Sequence, residues 1–435
     1  MISPPVLPSN EIVFALCVVS ILLVPFVGVG LTLINTGLGR SRSAGHSMMA
    51  SLCVMAIAAL VYFVCGFAWQ GFPGIPAHVL IAGGKSWDWI AAQPFFLRKL
   101  NLDGSAASLA VWLQMMSVGI AALIPLGSGG DRWRLRAICF STAILAGWTY
   151  PVFAHWVWGG GWLAQLGVNS GMAHGFLDAG GSSTIHVVGG LTALSIAWIL
   201  GPRRGKYSSN GMPSAIPGHN VTYVLAGCLF ALTGWIGLNS AGAFLFTGVE
   251  GRRIILIAIN TIIAAASAGL TAALVTRVRF TKPDASLTAN GWIGGLVASS
   301  AACALLQPAE MMIVGIIAGA LVTFSVEWFE FGLRVDDPGG AVSVHAIAGI
   351  WGLLALGLLA RFPDNQSGQW LAQVIGVATL LGFVLPTAYA LNWLLDRFHP
   401  QRVGIEGERQ GMDLHELGAE AYPEFITHTE EYLPH

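Results

Sequence analysis

Hydrophobic residues fill this chain in long runs, and polar residues gather in the breaks between them. A run of about 20 apolar residues crosses a bilayer as a helix. The pattern predicts spans at 11–34, 45–69, 106–126, 135–157, 183–201, 221–241, 253–275, 286–305, 310–328, 341–360 and 370–394. The expectation is an all-α membrane protein with eleven transmembrane helices, the Gly-rich seventh and eighth being the least sharply bounded.

Composition agrees. Of 435 residues 55% are hydrophobic and 10% charged, and the mean hydropathy is +0.69, against about 25% charged in a soluble domain. The basic residues are scattered through short loops, with no cluster that tracks a phosphate backbone, so nucleic acid is not an expected partner. With the N-terminus outside, only Lys85, Arg98, Lys99, Arg252, Arg253 and Arg361 of the 21 basic residues fall outside, and the C-terminus is inside. No basic run precedes the first span, so no signal peptide is expected. The Asn220-Val221-Thr222 sequon falls inside and is expected to be idle. Cys17, Cys53, Cys65, Cys139, Cys228 and Cys303 all lie in apolar runs without CxxC spacing, and read as small core residues. Most of the 55 glycines, as in GWIGGLVASSAACA (291–304), read as close helix packing in lipid.

Two stretches echo each other. DAGGSSTIHVVGG places His186 eight residues after Asp178, and DPGGAVSVHAIAGIWG places His345 eight residues after Asp337. Each aspartate sits near the start of a span and each histidine is followed by small residues. The units close the fifth and tenth spans. Five is odd, so the halves, about 10–202 and 220–360, must have opposite polarity, as in an inverted repeat. The two histidines would then enter the bilayer from opposite faces and meet near its middle. A lone buried His is ordinarily a satisfied core residue, but ionisable groups at membrane depth line polar paths. Two His without a third ligand make a poor zinc site, and no metal or cofactor is expected. For both aspartates the plain role is capping a helix N-terminus. Asp337 is expected to be a structural cap. Asp178, on the outer side, could also shape a pore mouth and add negative potential for a cation.

Two neutral imidazoles side by side share one hydrogen bond, one ring donating and the other accepting. Such a pair can take a proton from a small cation, and holds at most one extra proton. A bare monovalent cation in an apolar pore faces an idealised cost on the order of 20 kcal/mol. Potassium has no escape from that cost; ammonium can shed a proton and cross as ammonia.

AHWVWGGGWLAQLG (154–167), DAGGSSTIHVVGG, GWIGLNSAG (234–242), VDDPGGAVSVHAIAGIWG (335–352) and the tail RVGIEGERQGMDLHELGAEAYPEF (402–425) resemble the signature stretches of the ammonium transporter family, Amt/Mep/Rh, and its Amt branch in particular. The resemblance covers nearly the whole chain. It implies a homotrimer with one pore per subunit, a channel domain over 1–395 with a last helix at about 370–394, and a cytoplasmic regulatory tail over 396–435. It implies no enzyme activity, and a place in the cell (inner) membrane. His186 and His345 match the twin histidines, Trp158 and Asp178 the outer cation site, and Trp235 a pore-lining tryptophan. Read alone, each Trp is an interfacial belt residue. Gln114, Ser117, Leu238 and Gly242 complete the expected pore lining. In the tail, Gly411, Asp413 and Tyr422 match family positions, and the face it covers is where PII-type signalling proteins plug family pores.

The departures are specific. Where typical members stack two phenylalanines across the pore, this sequence has Ser117, in LQMMSVG, and Leu238. Gly242 replaces a serine of the cation site, Ile34-Asn35 a Phe-Tyr pair, and Ala179 a phenylalanine. NSGMAHGF (169–176) is inserted on the outer side and brings His174, which alone reads as a solvated loop residue. A small Ser117 is expected to open space where a ring would exclude water. The sequence therefore supports ammonium transport by deprotonation, with two alternatives: a weakly conducting or non-conducting ammonium receptor acting through a separate partner, and a neutral-gas channel.

Overall fold

The computed structural model describes residues 11–362 and 367–422; the end of the expected tail, residues 423–435, lies outside the described residues. Among those described, ten helices are long and apolar enough to cross a membrane: Glu11–Leu38, Ser41–Gln70, Ala106–Gly129, Leu135–Trp158, Ser182–Leu200, Val221–Phe246, Gly251–Phe280, Pro308–Gly332, Val342–Leu359 and Gln369–Phe398. The chain is a multi-pass membrane protein. Local chemistry marks several starts. The side chains of Ser105, Asn220 and Asp284 accept from backbone N–H groups of the first turns that follow them, and Gln307 and Glu310 form a reciprocal capping box around Pro308.

Two expectations are corrected. The span expected at 286–305 is helical only over Ala285–Ser300, 16 residues, or about 24 Å at 1.5 Å per residue. Beyond it the chain unwinds, and its exposed carbonyls find other partners. Asn260 Nδ2 donates to the carbonyls of Cys303 and Leu306 at 2.9 and 2.8 Å. The N–H groups of Ala179 and Gly180 donate to Ala301 and Ser300 at 3.2 and 2.8 Å. The fold is also not purely α. Ala77–Ala82 and Lys85–Ala91 form an antiparallel hairpin, in which Gly83 and Gly84 (φ 59° and 71°) supply the two left-handed turn positions. Its short β-branched and aromatic run is too brief to register as a span.

Glycines bring the helices together as their composition suggests. A Cβ on Gly30 would lie 2.6 Å from the Gly227 carbonyl, and one on Gly227 2.6 Å from that of Gly30. Gly295 and Gly319 press in the same way on the backbone of Ala264 and Ala268.

At one end of the molecule, Arg132 is fully buried and donates to the carbonyls of Gly201 and Asp336, both at 2.8 Å. This joins the end of Ser182–Leu200 to the loop that leads into Val342–Leu359, so the two helices run in opposite directions. The tail covers this same end. Asp413 accepts from the N–H groups of Gly45 and His46, and Glu416 from that of Leu135, so each caps a spanning helix. Gly411 adopts φ 108° against Arg42, where a Cβ would lie 2.6 Å from its carbonyl oxygen, and the Tyr422 hydroxyl meets His219 at 3.1 Å. The described part of the tail is thus a packed element.

Beneath it Arg203 donates to both oxygens of Asp336 at 2.9 and 3.0 Å and to Asp131 at 3.1 Å. Burial pushes the Asp336 carboxyl up, but the Arg203 hydrogen bonds and the Arg132 and Arg203 charges outweigh it and hold the group at about 2. Asp336→Asn is therefore expected to cost about 3 kcal/mol at neutral pH, because it leaves a buried guanidinium underpaired. The native carboxyl lies below its unfolded value near 4. Its contribution is complete above about pH 4 and lost as pH falls toward 2, a step that the variant should lack. Thermal melts of the solubilised proteins across that range check both.

Candidate functional site

The two echoing segments fold alike. The Asp178 carboxylate accepts from the N–H groups of Gly181, Ser182, Ser183 and Thr184 and from the Ser183 hydroxyl. Asp337 accepts from the Ser128 hydroxyl at 2.7 Å and the Val342 N–H at 2.8 Å. After each aspartate comes a π-helical turn, Ser182–Val187 and Val342–Ile347, and each turn carries its histidine. The wide turn is visible in the His186 N–H, which reaches back five residues to the Gly181 carbonyl at 3.1 Å.

Gly190 and Gly349, each four residues past its histidine, let the segments cross in contact. A Cβ on Gly190 would lie 2.5 Å from the Ala346 nitrogen, and one on Gly349 2.9 Å from the Ser182 carbonyl. At the crossing His186 Nδ1 and His345 Nδ1 are 3.3 Å apart, with ring centroids 5.3 Å apart. Both residues are buried. Trp235 stacks on His186 at 4.7 Å and 13° and donates its indole N–H to the Ser300 hydroxyl at 2.9 Å, so it backs the ring. Facing Nδ1 atoms require one donor and one acceptor, which leaves one Nε2 bare and the other protonated. His186 Nε2 is buried without a protein partner.

Away from the tail lies a cavity of about 480 Å³, bordered by Trp158, Asp178, Phe246, Thr247, Phe176 and His174 among others. The Trp158 indole N–H donates to the Asp178 carbonyl at 2.7 Å. The Asp178 side chain is a cap: its oxygens are committed to the turn that follows. The inserted 169–176 segment is not a loose loop. Gln369 and Gln373 clamp it and its flank, donating to the carbonyls of Gly175 and Leu177 at 2.8 and 2.9 Å, and His174 packs on Phe362.

Residues 15–422 match the family model described as Ammonium Transporter Family. The chain belongs to the ammonium transporter family. It is 34% identical to the ammonium transporter Amt2 of Archaeoglobus fulgidus, over 98% of this chain and 91% of that protein. Among solved structures, one described as a sensor Amt protein superposes with a TM-score of 0.84 at 28% identity, covering 93% of this chain and 98% of its own. Candida albicans Mep2 shares the fold with a TM-score of 0.78, covering 91% of this chain and 87% of its own, at 22% identity.

As an ammonium transporter family chain, this one fills its departures in particular ways. Ser117 is fully buried and turns its hydroxyl back to the Leu113 carbonyl at 2.9 Å. The expected opening there is closed: the Tyr150 phenol lies against Ser117 and donates to Gln114 Oε1. Gln114 Nε2 is left buried and unpartnered. Leu238 is a core side chain. Gly242, expected in the pore lining, is a packing contact, since a Cβ there would lie 2.4 Å from the Ala179 carbonyl. Sequence reasoning missed Tyr150 and Phe246. Both are aromatics in apolar runs and look like any other core residue there. Phe246 stacks on Trp158 with centroids 4.4 Å apart and planes 10° apart.

Restoring a serine by Gly242→Ser should therefore cost about 1–3 kcal/mol, because the helix must back away from Ala179. A lower melting temperature of the purified variant checks this, and an unchanged one would place open space at Gly242.

Proposed function

We propose that this protein moves ammonium across a membrane by recruiting the cation beside Trp158, stripping a proton, and passing ammonia along His186 and His345. The observation that carries the reading is the buried contact of the two rings at 3.3 Å between antiparallel helices. A continuous pair of imidazoles accepts a proton at one outer nitrogen and releases one from the other, so it also serves as a proton relay. The buried surroundings disfavour any bare cation at the pair, which makes deprotonation the cheaper route.

The same reading includes the finer architecture. Eleven helices are counted when the short Ala285–Ser300 is included. The inverted repeat is supported by a reciprocal stitching. The loop before Ser182 bonds to the end of Ala285–Ser300, and the Gly339 N–H, before Val342, donates to Gly127 at the end of Ala106–Gly129 at 3.0 Å. The N-terminus is then outside and the tail cytoplasmic, in the cell membrane. The subunit works as one of three, and a PII-type protein is the candidate partner for the tail face. The curated relative is named an ammonium transporter; a solved relative is titled a sensor, and an ammonium receptor without flux is the competing activity.

The full-length protein in liposomes should take up ammonium with an evoked current. His186→Ala should abolish the current and lower uptake by about ten-fold, about 1.4 kcal/mol on the barrier. Uptake without current in the unmodified protein would make it a gas channel, and saturable binding with neither would overturn transport in favour of a receptor.

A further inference from the structure

Trp158 lies between the cavity and the His186 turn. Its ring edge comes within 3.2 Å of where Gly181 would carry a Cβ, and Gly181 is the residue whose carbonyl accepts the His186 N–H. On its other flank stands Phe246. This ring is the last residue of Val221–Phe246; the chain then leaves the helix through Thr247 and Gly248, whose φ is 63°. One turn earlier Gly242 presses on the Ala179 carbonyl, which seats this helix end directly over the 179–181 loop. Phe246 is half-buried and borders the cavity, while Trp158 keeps only 4% of its surface exposed.

A cation is attracted by an indole only over its face, within about 6 Å of the ring centre. Rings stacked at 4.4 Å and 10° are in van der Waals contact, and no ion fits between them. The indole face turned to Phe246 is therefore occupied by a neighbouring side chain, not open to the cavity.

We propose that Phe246 is a swinging aromatic gate that competes with the incoming cation for the Trp158 face and so sets the apparent affinity of the site. The inference rests on the reading above that Trp158 receives ammonium, and adds a residue and a sign to it. The face is available only in the fraction of time that Phe246 has rotated off it. The observed dissociation constant is then the intrinsic one divided by that fraction. Phe246 thus raises the apparent constant of every cation at the entrance by the same factor, which puts a weakly attracted one out of working range. The His pair acts separately on what has passed.

The test is saturation of the liposome-reconstituted protein with ammonium, read as uptake KM, or as binding Kd if flux is absent, in the presence and absence of potassium. Phe246→Ala should lower that constant about five-fold, the weight of one aromatic stack, and make potassium a visible competitor. Phe246→Trp, which can still stack, should keep or raise the constant. If Phe246→Ala does not fold, Phe246→Leu, which keeps apolar bulk without a flat face, should shift it in the same downward direction. An unchanged or raised constant in the folded Ala or Leu variant, with no potassium competition, overturns the gate. Absence of both saturable uptake and binding in the unmodified protein overturns the proposed function instead, so the two failures are distinguishable.

Discussion

Two imidazoles placed side by side away from water must satisfy each other. That single contact, Nδ1 to Nδ1 at 3.3 Å, dictates much of the rest of the structure. A proton has to sit between the two rings, so their outer nitrogens become inequivalent, one bare and one protonated. The pair thereby acquires a direction, which reverses each time a proton is passed along it. Neither ring achieves this alone. A single buried imidazole would need another partner or remain unsatisfied, and burying an unpaired polar group is costly.

Holding the rings there requires two backbones to cross closely at equivalent points. Gly190 and Gly349 provide the clearance, and the capping carboxylates of Asp178 and Asp337 fix where each helix begins. The π-helical turns belong to the same requirement. They rotate the histidine relative to a regular helix at both positions, and such turns recur where a side chain has to be aimed. Trp235 then closes one face of His186, which limits the ring's freedom to rotate out of the pair. The two echoing segments fold alike because each solves the same packing problem at the crossing.

Much of this was legible in the sequence. The Asp-to-His spacing, the small residues after each histidine and the odd number of spans in each half led to a meeting of His186 and His345. Capping was the plain expectation for both aspartates, and both cap. What was hidden depends on contacts between distant segments, which no local pattern encodes. The sequence 286–305 is apolar enough for a full span, yet it unwinds after Ser300 because Ala179, Gly180 and Asn260 supply donors for the freed carbonyls. Gly242 looked like a serine lost from a site, although the approach of Ala179 leaves no room for any side chain there. The missing ring at Ser117 suggested a wet gap. A tyrosine 33 positions further along, Tyr150, occupies the neighbourhood instead, and nothing around Tyr150 in the sequence marks it for that place.

On the proposed reading, aromatic closure at the cavity and proton exchange at the histidine pair are separate functions of separate groups. At the cavity, Phe246 covers a face of Trp158, and in the proposed reading these two rings act on charge and on access. The histidine pair, on the same reading, acts on the ability to give up a proton, which distinguishes ammonium from potassium where size cannot. Ser117 and Leu238 carry no ring themselves, and the ring beside Ser117 is that of Tyr150. Phe246 can change without disturbing the pair, because the glycine crossing and the two aspartate caps that set the pair's geometry make no use of it. On the proposed reading, entrance affinity and proton-dependent passage can thus vary independently within one fold.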